Sequence, residues 1–228
     1  MTILNIETST NVCSVALSIN GLCVFSRTNA DGMNHATLLS PFIDEALQFL
    51  SPQTPNAIAV SGGPGSYTGL RIGVSTAKGL CYGLEVPLIA VDTLEIMSLM
   101  ANKLIENRPE NSLLCAMIDA RRMEVYAAFY NLKGELVRNV SADIIDENSY
   151  IELLDKNIIY FFGNGAPKCK TVLKHSNAVF IDDIVPLAEN MIPLTEKAFA
   201  EQLFADVAYY EPFYLKEFYT TAIPKSIN

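Results

Sequence analysis

The sequence predicts an α/β protein of two lobes, each a mixed sheet flanked by helices. Three observations carry that expectation: an opening run of three strands with a strong hairpin signal, a strand followed by a glycine-rich turn and a helix, and a second half that repeats the element order of the first. Half of the 228 residues are hydrophobic and 18% are charged, so the chain has the material for a sizeable core.

The first strand is the apolar run Ile3 to Ile6. Cys13, Val15, Leu17 and Ile19 then alternate with Ser14, Ala16 and Ser18, the period of a half-buried strand. Asn20-Gly21, both tolerant of positive φ, turns that strand into Leu22 to Phe25. Leu39, Phe42, Ile43, Ala46, Leu47 and Leu50 recur at helical spacing. Pro41 leaves two starts open, a cap at Ser40 or a helix kinked after a start near His35.

Ala57 to Val60 reads as a buried strand that enters SGGPGSYTG, after which Leu70 to Leu84 is a helix. Val86 to Val91 gives another strand, and Asp92-Thr93-Leu94-Glu95 is a capping signature for a helix ending near Arg108-Pro109. The first lobe is therefore 1–108 and the second 109–228, with the last helix and tail expected to pack back on the first lobe. The second half reads as strands Leu113 to Ile118, Glu124 to Asn131 and Glu135 to Val140, then a helix near Asn148 to Leu154. Strand Ile158 to Phe162, the turn Gly163-Asn164-Gly165-Ala166, a short helix, strand Ala178 to Ile181 and a helix from Leu187 to Asp206 complete it. Architecture repeats here without visible repetition of sequence.

Composition excludes several classes of function. The formal charge is −9 and no basic run exceeds Arg121-Arg122, which argues against a protein that binds nucleic acid alone. The start MTILNIETST lacks a charged n-region and an apolar stretch, and no segment is apolar enough to span a bilayer, so a cytoplasmic protein that does not touch membrane is expected. Five widely spaced cysteines without a C-x-x-C pair fit buried thiols, and His35 and His175 stand too far apart in sequence for a histidine metal motif, so no metal site is expected.

Two stretches carry candidate chemistry. In Gly62-Gly63-Pro64-Gly65-Ser66-Tyr67-Thr68-Gly69-Leu70-Arg71, glycines permit close backbone approach, Ser66 and Thr68 are suited to cap a helix, and Arg71 is suited to an anion. The same residues fit a tight turn that holds no ligand, and a Walker loop is excluded because no lysine follows until Lys78. Glu7-Thr8-Ser9-Thr10 places a carboxylate and hydroxyls at a strand end, where either a polar turn or a cleft-facing site fits. Asp119 to Tyr126 puts paired charges at a strand junction, most simply to orient a turn. No Ser-His-Asp or Cys-His arrangement is present, so no catalytic residue is assigned.

The strand ILNIETST, the helix start NHATLLSPFIDEAL, the loop GPGSYTGLRIG, the segment DARRMEVY, the GNGA turn and the tail PFYLK together make the chain similar to the TsaB family over essentially its whole length. That family is the non-catalytic branch, long called glycoprotease-like, in bacterial tRNA threonylcarbamoyladenosine biosynthesis. The resemblance implies an ASKHA fold of two ribonuclease-H-like lobes, in agreement with the doubled element order. Glu7 stands where many relatives have Asp, and Lys216 where Arg is common; both departures keep the charge.

The resemblance further implies pairing with a TsaD-type catalytic subunit, recruitment of a TsaE-type ATPase, and homodimer formation when alone. ATP and metal would belong to those partners, with no cofactor and no direct tRNA contact on this chain. The pairing surface it implies comes from the first two helices, here carrying His35, Leu39, Phe42, Ile43, Ala46, Leu70, Val74, Ala77 and Cys81. Glu7, Thr8, Gly63, Gly65, Ser66, Thr68, Gly69 and Arg71 would then form a vestigial nucleotide site. Two rivals remain: an active ASKHA-type kinase or acyl transferase using Glu7 and the Gly63 to Gly69 loop, and a metallopeptidase, which fails for want of ligands.

Overall fold

The computed structural model describes residues 1–32 and 34–215. The first lobe is a five-stranded sheet of β1 (Thr2–Glu7), β2 (Cys13–Ile19), β3 (Leu22–Asn29), β4 (Ala57–Ser61) and β5 (Leu88–Val91), in the order β3-β2-β1-β4-β5. β2 runs antiparallel to β1 and β3, while β1, β4 and β5 are parallel. The second sheet holds β6 (Ser112–Asp119), β7 (Glu124–Asn131), β8 (Leu136–Ile144), β9 (Ile158–Phe162) and β10 (Ala178–Phe180), in the order β10-β9-β6-β7-β8. Read outward from β6, this repeats the pairing of the first sheet, so both lobes have the ribonuclease-H-like arrangement.

The alternation seen in the sequence decides which layer each strand faces. On β1, Leu4 and Ile6 pack under α1 (His35–Leu50) and α2 (Tyr67–Leu84), together with Val15, Leu17 and Val60. Ile3, on the other face, packs with Ala188 and Met191 of a short 3₁₀ turn (Ala188–Met191) that precedes α4. Here α4 is Ile192–Ala200, the last long helix, and its buried Thr195 hydroxyl donates to Asn5 Oδ1 at 2.9 Å. α3 (Thr93–Leu104) lies between the sheets: Leu94, Met97 and Ala101 pack on Leu114, Ala116 and Ile118 of β6, while Ile96 packs on the first sheet. The far face of the second sheet is covered by two single-turn helices, Ile151–Leu154 and Ala166–Cys169.

Local chemistry sets the boundaries, some as expected and some not. The first helix begins at His35 and accommodates Pro41 in its interior. α2 begins at Tyr67, where the Ser66 hydroxyl accepts from Gly69 N at 3.3 Å, so Ser66 is the cap and Thr68 lies inside the helix. Asp92 caps α3 by accepting from Leu94 N at 2.7 Å and Glu95 N at 3.1 Å. The last helix ends at Ala200 and not at Asp206, because Gln202 adopts φ 56° and Ala205 N turns to the carbonyl of Leu88 on the free edge of β5, at 2.8 Å.

Candidate functional site

The structure joins the two stretches singled out in the first lobe. At the end of β1, Thr8 Oγ1 donates to Gly69 O at 2.8 Å, and Ser9 O accepts from Ser66 N at 2.6 Å. A Cβ added at Gly69 would overlap Thr8 O, and one at Gly65 would overlap Ser9 O. These glycines are therefore required by the approach of one backbone to another inside the same chain.

The other end of the turn is covered from the C-terminal side. Phe213 N donates to Gly62 O at 2.8 Å, a Cβ at Gly62 would overlap the Tyr210 hydroxyl, and one at Gly63 would lie 2.7 Å from Phe213 O. Gly63 also holds φ at 112°, which only glycine adopts readily. Thr68 and Arg71 face outward, and Arg71 Nη1 donates to the Tyr67 hydroxyl at 2.9 Å with its guanidinium over that ring.

Glu7 is fully buried, and its Oε1 accepts from Ser9 N at 2.5 Å. Burial pushes its carboxyl up to about 6, and the neighbouring Ser9 and Ser61 groups offset only part of that. Its Oε2 and the Ser9 and Ser61 hydroxyls make no hydrogen bond in good geometry among the described residues. Burial likewise raises Asp92 to about 6, against its two backbone donors. The carboxylate of the ETST segment is thus held in the protein interior beside Ser9 and Ser61.

The second lobe repeats this construction. Added Cβ atoms at Gly163 and Gly165 would overlap the backbone of Met117 and crowd that of Ile118, so the GNGA turn packs on the end of β6 as the first glycine turn packs on β1. Asn164 Oδ1 accepts from Asp119 N at 2.9 Å, and Asp119 pairs with Lys168. Arg121 and Arg122 carry φ of 71° and 48° in the tight turn that Asp119 Oδ1 braces through Arg121 N.

The structure places the expected interface residues largely inside the first lobe. Seven of them, Leu39, Ile43, Ala46, Leu70, Val74, Ala77 and Cys81, are buried apolar residues of this chain, and His35 is buried with Nε2 2.8 Å from Thr10 O. Phe42 is half-buried against the same core. Each helix has one apolar stripe, and its own sheet consumes that stripe. The exposed faces of the two helices include Ala36, Ser40, Asp44 and Glu45 on α1, and Arg71, Ser75, Gly79, Tyr82 and Gly83 on α2. Tyr82 is 84% exposed, and nothing lies within 4 Å of an added Cβ at Gly79 or Gly83. A shallow groove of about 390 Å³ runs between the helices, bordered by Ala36, Ser40, Ile72, Ser75 and Thr76.

Sequence reasoning singled out the tail but not the contacts it makes: Tyr210 and Phe213 on the turn, Tyr214 on Tyr67, and Lys78 on the carbonyls of 208 and 210. Phe213 and Tyr214 belong to the tail PFYLK, whose Lys216 lies outside the described residues, whereas Lys78 and Tyr210 carried no signal of this contact. Among the described residues no group of three or more His, Cys, Asp or Glu side chains is placed to hold a metal ion, and no helix is long and apolar enough to cross a membrane.

Comparison with known proteins agrees over nearly the full length. Residues 30–213 match the family described as TsaD, tRNA N6-adenosine threonylcarbamoyltransferase. The tRNA threonylcarbamoyladenosine biosynthesis protein TsaB of Escherichia coli is 33% identical over 226 residues, covering 95% of each chain. Its counterpart in Haemophilus influenzae is 29% identical, covering 95% of this chain and 94% of the relative. The solved structure of YeaZ from Pseudomonas aeruginosa superposes with a TM-score of 0.80 at 28% identity, covering 94% of this chain and 99% of the other.

Proposed function

The chain belongs to the TsaB family of tRNA threonylcarbamoyladenosine biosynthesis proteins, and we propose that it serves there as a non-catalytic subunit. In this reading it docks on a TsaD-type catalytic subunit, which holds the nucleotide, the metal and the tRNA, and a TsaE-type ATPase joins the pair. The docking face is the outward side of α1 and α2, and a second copy of the chain occupies the same face when the catalytic subunit is absent.

One observation carries the non-catalytic reading: the glycine-rich turn is filled by its own chain. A turn that cradles phosphate presents free backbone N–H groups at a helix N-terminus. Here Ser66 N is bonded to Ser9 O, Gly69 N to the Ser66 hydroxyl, and Gly62 and Gly63 lie under Tyr210 and Phe213. The docking face has independent support, because Ser75, Gly79 and Gly83 recur at one-turn spacing on α2 and let another helix approach closely.

The test is threonylcarbamoyl transfer to tRNA by the catalytic subunit with and without this chain, alongside ATP turnover by the chain alone. Transfer that depends on the chain, with no turnover by the chain itself, supports the reading. Equal transfer without it, or hydrolysis by the isolated chain, overturns it.

A further inference from the structure

The segment after α4 runs along the first lobe as a strap. Ala205 N bonds the edge of β5, Lys78 Nζ on α2 donates to Ala208 O at 3.1 Å and Tyr210 O at 3.0 Å, Phe213 N donates to Gly62 O, and the Tyr214 ring packs on Tyr67 with centroids 4.9 Å apart. Its anchors on α2 extend from Tyr67 to Lys78, about 16 Å of helix at 1.5 Å per residue. Yet the strap is shallowly seated, with Leu203 62% and Tyr209 84% exposed and Phe204 and Phe213 also open to solvent. It is held by a few polar bonds, one ring contact and the partly buried Ala205, Val207 and Tyr210 on the edge of the first core, the type of segment that opens locally before the core does.

We propose that residues 205–215 act as a latch: docked on Gly62 and Lys78, they fix the glycine-rich turn and the first half of α2, so that latch docking and binding of the catalytic subunit to the outward face of α2 are thermodynamically coupled. The binding half of this statement rests on the docking face proposed above. A partner that fits α2 only in its fixed orientation binds the latched form more tightly, and by reciprocity stabilises the latch.

Two substitutions release the latch: Gly62→Ala, away from the outward face, and Lys78→Met, which by helical spacing lies beside Arg71 and Tyr82 and is therefore read by exchange alone. Gly62→Ala sets a methyl against the Tyr210 hydroxyl, while the next atom, Val91 O, is at an ordinary 3.5 Å. Lys78→Met removes both bonds to the strap and keeps the aliphatic stem. Hydrogen exchange of the full-length chains, read over 62–70 and 205–215, is measured together with calorimetric affinity for the TsaD-type subunit.

Both variants should exchange at least about tenfold faster in both segments, and Gly62→Ala should bind the subunit about tenfold more weakly. Saturating subunit should slow exchange in the parent strap. Faster exchange of the strap with no change over 62–70 overturns the latch, since the strap would then be only a cover. Faster exchange in both segments with unchanged affinity overturns the coupling. If the parent does not bind the subunit at all, the docking face proposed above falls, and exchange over 62–70 in the variants still decides whether the strap holds the turn.

Discussion

Alanine at Gly69 and alanine at Gly79 are the same chemical change on the same helix, and their surroundings give them opposite signs. At Gly79 nothing lies within 4 Å of the new Cβ, so only backbone propensity changes, a gain of about 0.8–1 kcal/mol. For a chain of this length that raises Tm by about 2–4 °C. At Gly69 the new Cβ overlaps Thr8 O, a backbone atom fixed by β1 and by the neighbouring bond from Thr8 Oγ1 to Gly69 O. Overpacking of this kind costs about 1–3 kcal/mol, and a weakened hydrogen bond adds about 1 kcal/mol, against the same propensity gain. The net expectation is a loss of about 2 kcal/mol and a Tm lower by about 4–8 °C. Urea unfolding of both variants in one buffer, with unchanged m-values, is the assay. Equal stability of the two variants would refute the claim that the turn glycines exist for contact within the chain.

Gly79→Leu should leave Tm at or above the parent value yet weaken pairing with the catalytic subunit at least about thirtyfold by removing close helix approach, which calorimetry measures; undiminished pairing would remove α2 from the docking face. Val74→Asp should unfold the first lobe, at a cost above about 4 kcal/mol for an unpaired buried carboxylate, so loss of pairing in that variant tracks the loss of its circular-dichroism signal. Glu7 retains its proton in the folded state between its ordinary 4.5 and about 6, so its contribution to stability falls as pH rises through that window, by about 2 kcal/mol in all. Glu7→Gln should therefore be about 1–2 kcal/mol more stable than the parent at pH 7.5 and equal to it near pH 4.5, and a gap independent of pH in urea titrations would contradict the burial argument.

Local signals in the sequence were enough for the strands and for their duplication. Asn20 and Gly21 take φ of 49° and 79°, as the hairpin between β2 and β3 demands, and the alternation in β2 matches its two packed faces. The direction in which α1 and α2 point was not legible, because an apolar stripe has the same appearance whether a sheet or a partner covers it. Only the count of layers decides, and the sheet takes the stripe first. The tail was expected to pack back on the first lobe, but its contacts were not legible: it has no period, and its decisive groups act through backbone carbonyls at 208 and 210 and one amide at 213.

The glycines show the same ambiguity at the level of chemistry. A glycine next to a helix N-terminus means that something approaches the backbone closely, and a sequence cannot say whether that something is a ligand or the chain itself. In the second lobe the occupant is the end of β6, at Gly163 and Gly165, and in the first it is the end of β1, at Gly65 and Gly69. Gly62 and Gly63 depart from this pattern, because their occupant is not a neighbouring strand but a segment about 150 residues later, joined through Tyr210 and Phe213. A contact of that separation costs chain entropy to form and so carries information about the state of the tail. On the latch proposed above, the turn of the first lobe is the place where an event at the C-terminal segment reaches α2, whereas the turn of the second lobe meets the end of β6 and, at Gly163, the Met97 sulfur of α3.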